Sequence, residues 1–300
     1  EAGAVKGEYT KNYSSPMMQL NEKTVATAFT EHTYAHTTMG FWEDVVDMPN
    51  QYDYSLTFFD RFYRPEYTTI LVVGDVTHDR VRSLSETYFG NWERGSYSPD
   101  IPVEPEQEET RFAHVRNANY PPYISLNFKS PAFDANSKED AALTVIAQIL
   151  FSQKSDLYKK LVIEESKARY ITGYNMLTRD PYLFTVAASL REAEDLQYVK
   201  DEMMKAIEDL KTNGVDPNLL ADTKSHMKYS YATSLNSSTS IASSLSYMIW
   251  VSGDPESLNK YYEQVQGLTV EDLKEVASRY LVPEKLTIST ISPEEEGGVS

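Results

Sequence analysis

The chain has 300 residues, a formal net charge of −17 and no cysteine. That length suits one large domain or two ordinary ones, and the 41% hydrophobic fraction is enough to build real cores. The acidic balance argues against a nucleic-acid backbone or an anionic membrane surface as partner. The missing cysteines exclude disulfides and thiolate metal sites, and no apolar stretch approaches the roughly eighteen residues of a membrane span.

No secretory leader is visible and the first residue is Glu1, not Met, so the native N-terminus is expected upstream. The cysteine-free, acidic composition favours an oxidising compartment such as a bacterial periplasm or cell envelope. The 22 tyrosines point to amphipathic packing surfaces and are not diagnostic of function.

In chain order, residues 1–31 read as helix broken near Pro16, because Val5, Met17, Met18, Val25 and Phe29 recur without strand-like alternation. Residues 32–50 read as a loop with a helical turn around Glu43–Val46. An aromatic helix follows over 52–63, with Leu56, Phe59 and Tyr63 on one face and Pro65 closing it. The β-branched run Thr68–Val73, ended by Gly74-Asp75, predicts a buried central strand, and Val81, Leu84 and Tyr88 predict a helix after it. Residues 96–110, with their prolines and Glu104, Glu106, Glu108 and Glu109, read as a solvated linker.

A second region then begins. Tyr123–Phe128 alternates like a half-buried strand, and Ser137-Lys138-Glu139-Asp140 fits a capping box for a helix through Leu143, Ile146 and Leu150. Leu157, Leu161 and Val162 mark another helical piece. Two strands, 169–177 and 182–190, flank the turn at Arg179-Asp180-Pro181. A strong amphipathic helix runs from Leu196 to Leu210, stopped by Asn213-Gly214. Helices over about 216–233, 238–252 and 269–281 precede a last strand, Lys285–Ile291, and a tail, 294–300, that should fray. The order is mixed, which argues for an α+β fold rather than a doubly wound parallel sheet.

The chemistry-bearing residues are sparse. Glu1 and Glu8 lie seven apart, so on a helix they share a face. Such a pair suits a metal site in which one acid ligates and the other orients a neighbouring ligand. Taken alone, it reads as solvated surface. A hydrolytic zinc centre needs three protein ligands and an open position, and neither His-x-x-Glu-His nor His-Glu-x-x-His occurs. His32 and His36 have helical i, i+4 spacing but no acid between them, which favours ordinary loop histidines. His78, His114 and His226 have no ligand-spaced partner. No phosphate loop follows Gly74, and Ser237–Ser246 contains no nucleophile elbow, so capping and packing explain those serines.

Several pieces, in order, resemble the pitrilysin/insulinase-type zinc metallopeptidases, the inverzincin family related to mitochondrial processing peptidase. They are Glu1-x-x-Ala4-Val5-x-x-Glu8, His32–Gly40 with Glu43-Asp44-Val45, and Phe59-x-x-Phe62-Tyr63-x-Pro65 leading into Leu71–Val76. Tyr88-Phe89-Gly90-x-Trp92, Leu157-Tyr158-x-x-Leu161-x-x-Glu164 and Arg169-Tyr170 complete the set. The resemblance implies a two-layer α+β roll, helices on a mixed sheet, in duplicated subdomains. It also implies a zinc whose bound water is activated by a general-base Glu within His-x-x-Glu-His. Glu8 matches the third zinc ligand, and Glu1 the acid supporting a ligating histidine. No catalytic residue falls in this chain, because the His-x-x-Glu-His motif is expected upstream. Residues 1–95 would be the later portion of the zinc-bearing subdomain, 96–110 a linker and 111–293 a structural homologous subdomain. The substrates implied are unfolded peptides, and the partner implied is a second homologous half or subunit. The chain alone is expected to bind zinc poorly and to cleave nothing. The alternative is a non-catalytic homologue acting as scaffold for an active subunit.

Overall fold

A computed structural model describes residues 1–299. Two helices open the chain, α1 (Ala2–Tyr13) and α2 (Pro16–Ala28), with Pro16 starting the second rather than kinking one long helix. Proline fits there because the first turn has no partner for its missing N–H. Then come α3 (Trp42–Asp47), α4 (Tyr52–Phe62) and α5 (His78–Phe89). The remainder runs β1 (Arg111–Arg116), β2 (Tyr123–Lys129), α6 (Glu139–Phe151) and α7 (Asp156–Tyr158), which continues as a π-helical turn to Glu164. After it come β3 (Ala168–Asn175), β4 (Leu183–Leu190), α8 (Leu196–Asn213), α9 (Pro217–Ser234) and α10 (Ser238–Ser252). The chain ends through α11 (Ser257–Gly267), α12 (Val270–Tyr280) and β5 (Leu286–Ser292). The fold is α+β, as expected. Helix α11 and strand β1 are additions to the sequence reading.

The strands form one mixed sheet in the order β1-β5-β2-β4-β3, with only β1 and β5 parallel. On one face, Ile124, Leu126, Phe128, Phe184, Val186 and Ile288 meet α6, α8 and α12 in the main core. Helix α8 presents Leu196, Val199, Met203, Ile207 and Leu210 to it, a stripe at helical spacing. A Thr269–Asp272 capping box starts α12. The expected box at Ser137–Asp140 does not form: Ser137 instead receives the Glu139 N–H through its hydroxyl, while Asp140 turns inward.

The opposite face is polar and also buried. Helix α2 lies across it, with Leu20 against Val115 and Ile291, and Val25, Ala28 and Phe29 against Leu183. Beneath the helix, Asn127 donates to the Thr287 carbonyl at 3.0 Å and accepts from Thr185 Oγ1 at 3.0 Å, while Thr24 Oγ1 donates to Ser289 Oγ at 2.8 Å. Strand β2 is therefore buried on both faces. Its alternation of apolar and polar residues separates an apolar interior from a hydrogen-bonded one, not core from solvent.

Three further expectations fail. Residues 68–73 form no strand and belong to no ladder, and Ile70 and Val72 are 48% and 47% exposed. An apolar β-branched run makes a strand only where another strand supplies partners, and none of the five in the sheet lies beside it. Second, the 96–110 segment, though mostly exposed, is anchored at Glu104 and Gln107. Glu104 accepts the backbone N–H groups of Thr30, Glu31 and His32 at 2.9–3.0 Å and lies 3.5 Å from the Lys129 ammonium. Gln107 Nε2 donates to the Leu286 carbonyl at 2.8 Å. Third, within 294–299 the tail is docked. His114 Nε2 lies 2.8 Å from the Glu294 carbonyl, Arg116 pairs with Glu295 at 2.6 Å, and Val299 packs on the main core.

Burial alone would raise the Glu104 carboxyl, but the amides of His32, Glu31 and Thr30 and the charge of Lys129 outweigh it and bring it down to about 2 from 4.5. A depressed carboxyl contributes stability that is present above 4.5 and lost as pH falls toward about 2. Glu104→Gln should therefore cost about 2–3 kcal/mol at neutral pH, by urea melts, and should remove that acid limb from the stability profile. Gly173 is required for a different reason. A Cβ there would sit 2.8–3.1 Å from Phe151 side-chain atoms, so Gly173→Ala should destabilise by about 1–3 kcal/mol in the same assay.

Candidate functional site

Helix α1 begins immediately after Glu1 and carries Glu8 in its middle, so both acids occur where helical spacing puts them on one side. Both side chains are exposed, and neither makes a hydrogen bond or ion pair among the described residues. Tyr9, the one buried residue of α1, holds the helix down. Its ring lies 5.2 Å from Trp42, and its hydroxyl donates to Glu22 Oε1 at 3.1 Å. Burial, then the Glu22 carboxylate, raise that hydroxyl to about 12. Beside it opens a cavity of about 580 Å³ walled by Tyr9, Tyr13, Glu22, His36, Trp42 and Glu43.

The five histidines do not converge on Glu8. His32 is buried. Its Nδ1 accepts the Tyr34 N–H at 3.0 Å, leaving Nε2 3.7 Å from Asp180 Oδ2. His36 lies against Phe41, with Nδ1 2.9 Å from the Thr37 carbonyl. His78 starts α5, and His226 sits on α9. His114 spends both ring nitrogens at 2.8–2.9 Å on Glu294 and Thr290. Among the described residues no three His, Asp or Glu side chains gather as a metal site would need. The donors present here do not fit a zinc centre, since one exposed carboxylate is not a site.

The α2–sheet junction carries groups that sequence reasoning missed. The Lys129 ammonium lies 3.5 Å from the Phe29 ring centroid and 3.5 Å from Glu104. Burial lowers it to about 8 despite the opposing pull of Glu104. No spacing signal links residues 29, 104 and 129, because they meet only in the folded chain.

Much of the exposed apolar surface lies between residues 41 and 103. Tyr52, Leu56, Phe59 and Tyr63 form a stripe along α4, and Leu84, Tyr88 and Trp92 lie bare farther on. Neither α4 nor α5 has a buried residue. Such a surface marks an interaction site.

Residues 51–227 match the family described as peptidase M16 inactive domain. The chain belongs to that family. This bears out the pitrilysin/insulinase-type resemblance and relates the M16 chain to zinc proteases. It is 27% identical over 285 residues to the protein named zinc protease PqqE of Helicobacter pylori, covering 93% of this chain and 63% of that relative. The M16 chain thus spans less than two thirds of that relative's length. A solved protease structure from Helicobacter pylori superposes with a TM-score of 0.87 at 26% identity, covering 97% of this chain and 71% of that one. A peptidase M16 inactive domain from Pseudomonas fluorescens gives 0.84 at 17% identity, covering 98% and 69%, which speaks to the fold alone. No helix among the described residues is long and apolar enough to cross a membrane.

With a single exposed carboxylate as donor, zinc should leave the melting temperature of this 300-residue chain unchanged. Glu8→Gln should alter its stability by no more than about 0.5 kcal/mol. Thermal melts with and without zinc check both.

Proposed function

We propose that this chain is the later part of one half of a zinc-dependent metalloendopeptidase that hydrolyses peptide bonds of unfolded peptides, and is itself non-catalytic. The observation that carries the reading is the bare apolar surface of 41–103, with its ladderless run at 68–73. It is the half-finished core of a subdomain whose missing layer lies on other polypeptide. That same polypeptide would bring the histidines and the general-base Glu. Glu8 would then give one carboxylate to a zinc bound by the complete protein, with Glu1 steadying a ligating histidine. On this reading residues 1–95 belong to the zinc-bearing subdomain, 96–110 join it to the next, and 111–293 form a structural subdomain. Peptides would be the substrates, a second homologous half or subunit the partner, and the bacterial periplasm or envelope the setting. The alternative, a scaffold subunit, is favoured by the family description as an inactive domain.

Intact mass and N-terminal sequencing of the native gene product give the first test. An upstream segment with His-x-x-Glu-His supports the peptidase reading, and a native start at Glu1 supports the scaffold. In the complete protein, Glu8→Gln should lower zinc content and cut peptide cleavage by at least about 100-fold. Unchanged cleavage would sink the assignment of Glu8.

A further inference from the structure

Asp140 is the second residue of α6 and is 1% exposed. Asn175 ends β3, and its Nδ2 donates to Asp140 Oδ1 at 2.9 Å. The other oxygen of each side chain, Asp140 Oδ2 and Asn175 Oδ1, is buried and has no hydrogen-bond partner. Two orphaned acceptors on a pair already joined by one bond lack a single hydrogen. A proton on Asp140 Oδ2 supplies it. An acid O–H there would donate to Asn175 Oδ1 while the amide N–H donates to Asp140 Oδ1, and all four atoms would be satisfied. Without that proton, a buried anionic oxygen and an amide oxygen both go unpaired, an arrangement that costs free energy.

We propose that Asp140 and Asn175 form a proton-dependent clasp that fastens the end of β3 to the start of α6 and loosens when Asp140 ionises. The neighbours favour this reading. Lys138, two residues before Asp140, is committed to Asp272 at 2.8 Å, and Arg279 is committed to the adjacent Glu139. Glu139 and Asp134 add negative charge. From the packed elements come Tyr261 of α11, Tyr280 of α12 and Tyr247 of α10, neutral phenols that feel the Asp140 charge. His226 of α9 and Asp156 of α7 line a cavity with Gln148, Ile149 and Leu150 of α6, two turns or more beyond Asp140. The Asn175 amide and then the Asp134 amide favour the anion, as does a position in the first turn of α6. Burial outweighs them and raises the carboxyl to about 7.

The clasp sits where the β3–β4 hairpin is tied to the rest of the molecule. Just beyond Asn175, the Leu177 carbonyl accepts from the Tyr247 hydroxyl and the Thr178 carbonyl accepts the Phe133 N–H at 2.8 Å. Asp180 faces His32 at 3.7 Å. Loosening at Asn175 therefore reaches the contact between the hairpin and the loop after α2.

A carboxyl raised from 3.8 to about 7 contributes stability that is complete below 3.8, falls as pH rises through about 7 and is flat above. Asp140→Asn replaces the acid by an amide whose N–H donates at every pH. The unfolding equilibrium constants of wild type and Asp140→Asn should be compared by urea melts from about pH 4.5 to about pH 8. Their ratio should rise by about two to three powers of ten in favour of the variant. A ratio that does not change with pH would overturn the proposal. The ¹³C resonance of the Asp140 carboxyl in the wild-type chain gives a second readout, should the variant fail to fold. A midpoint near 7 supports the clasp, and one near the ordinary 3.8 overturns it.

Discussion

The central strands β2, β4 and β5 are buried on both faces, and the rest of the molecule follows from that constraint. A sheet with two buried faces needs two covers. The second region provides one, the apolar layer of α6, α8 and α12. It has no helix for the other face, which is covered by α2 from the first region. Because that face carries Ser125, Asn127, Thr185, Thr287 and Ser289, the cover must also leave their polar groups hydrogen-bonded. Thr24 meets this need with a bond to Ser289, so α2 has a fixed position on the sheet rather than a greasy, slippery one. Glu104 then clamps the chain just beyond α2 by three consecutive backbone amides.

The same arrangement explains why the first region is packed near α2 and bare farther along. Residues near α2 have the sheet to pack on. Residues 41–103 have nothing comparable, and their aromatic stripes and β-branched run face outward. The local sequence there is that of an interior, since a run such as Thr68–Val73 belongs in the middle of a sheet. A lone Glu8 on the exposed side of α1 fits the same picture of one part of a larger construction, and no functional group within the described residues completes it.

Buried ionisable groups cluster at the seams between elements. Glu104 and Lys129 lie where the 96–110 segment meets α2 and the sheet, and Asp140 lies where α6 meets β3. Their charge states are moved in different directions. Glu104 has three backbone amides and the Lys129 charge and stays ionised well into acid, whereas Asp140 has only amide contacts from Asn175 and Asp134 and no cation to offset its burial. Donor count, not burial alone, separates them.

By itself the sequence determined the periodic elements: the helix read over 52–63, the helix from Leu196 to Leu210 stopped by Asn213-Gly214, the capped α12, the hairpin strands around Asp180-Pro181 and the mixed α+β order. It determined the acid pair at Glu1 and Glu8 and the collinear pieces that identify the family. These are local signals, written in spacings of a few residues. Tertiary structure alone decided the fate of 68–73, because pairing needs a partner that no local pattern can guarantee. It decided that β2 is buried on both sides, that Glu104 is a clamp and that Asp140 is buried beside Asn175. Each joins residues far apart in the chain, 104 with 30–32 and 140 with 175, and such meetings are fixed by packing rather than by periodicity.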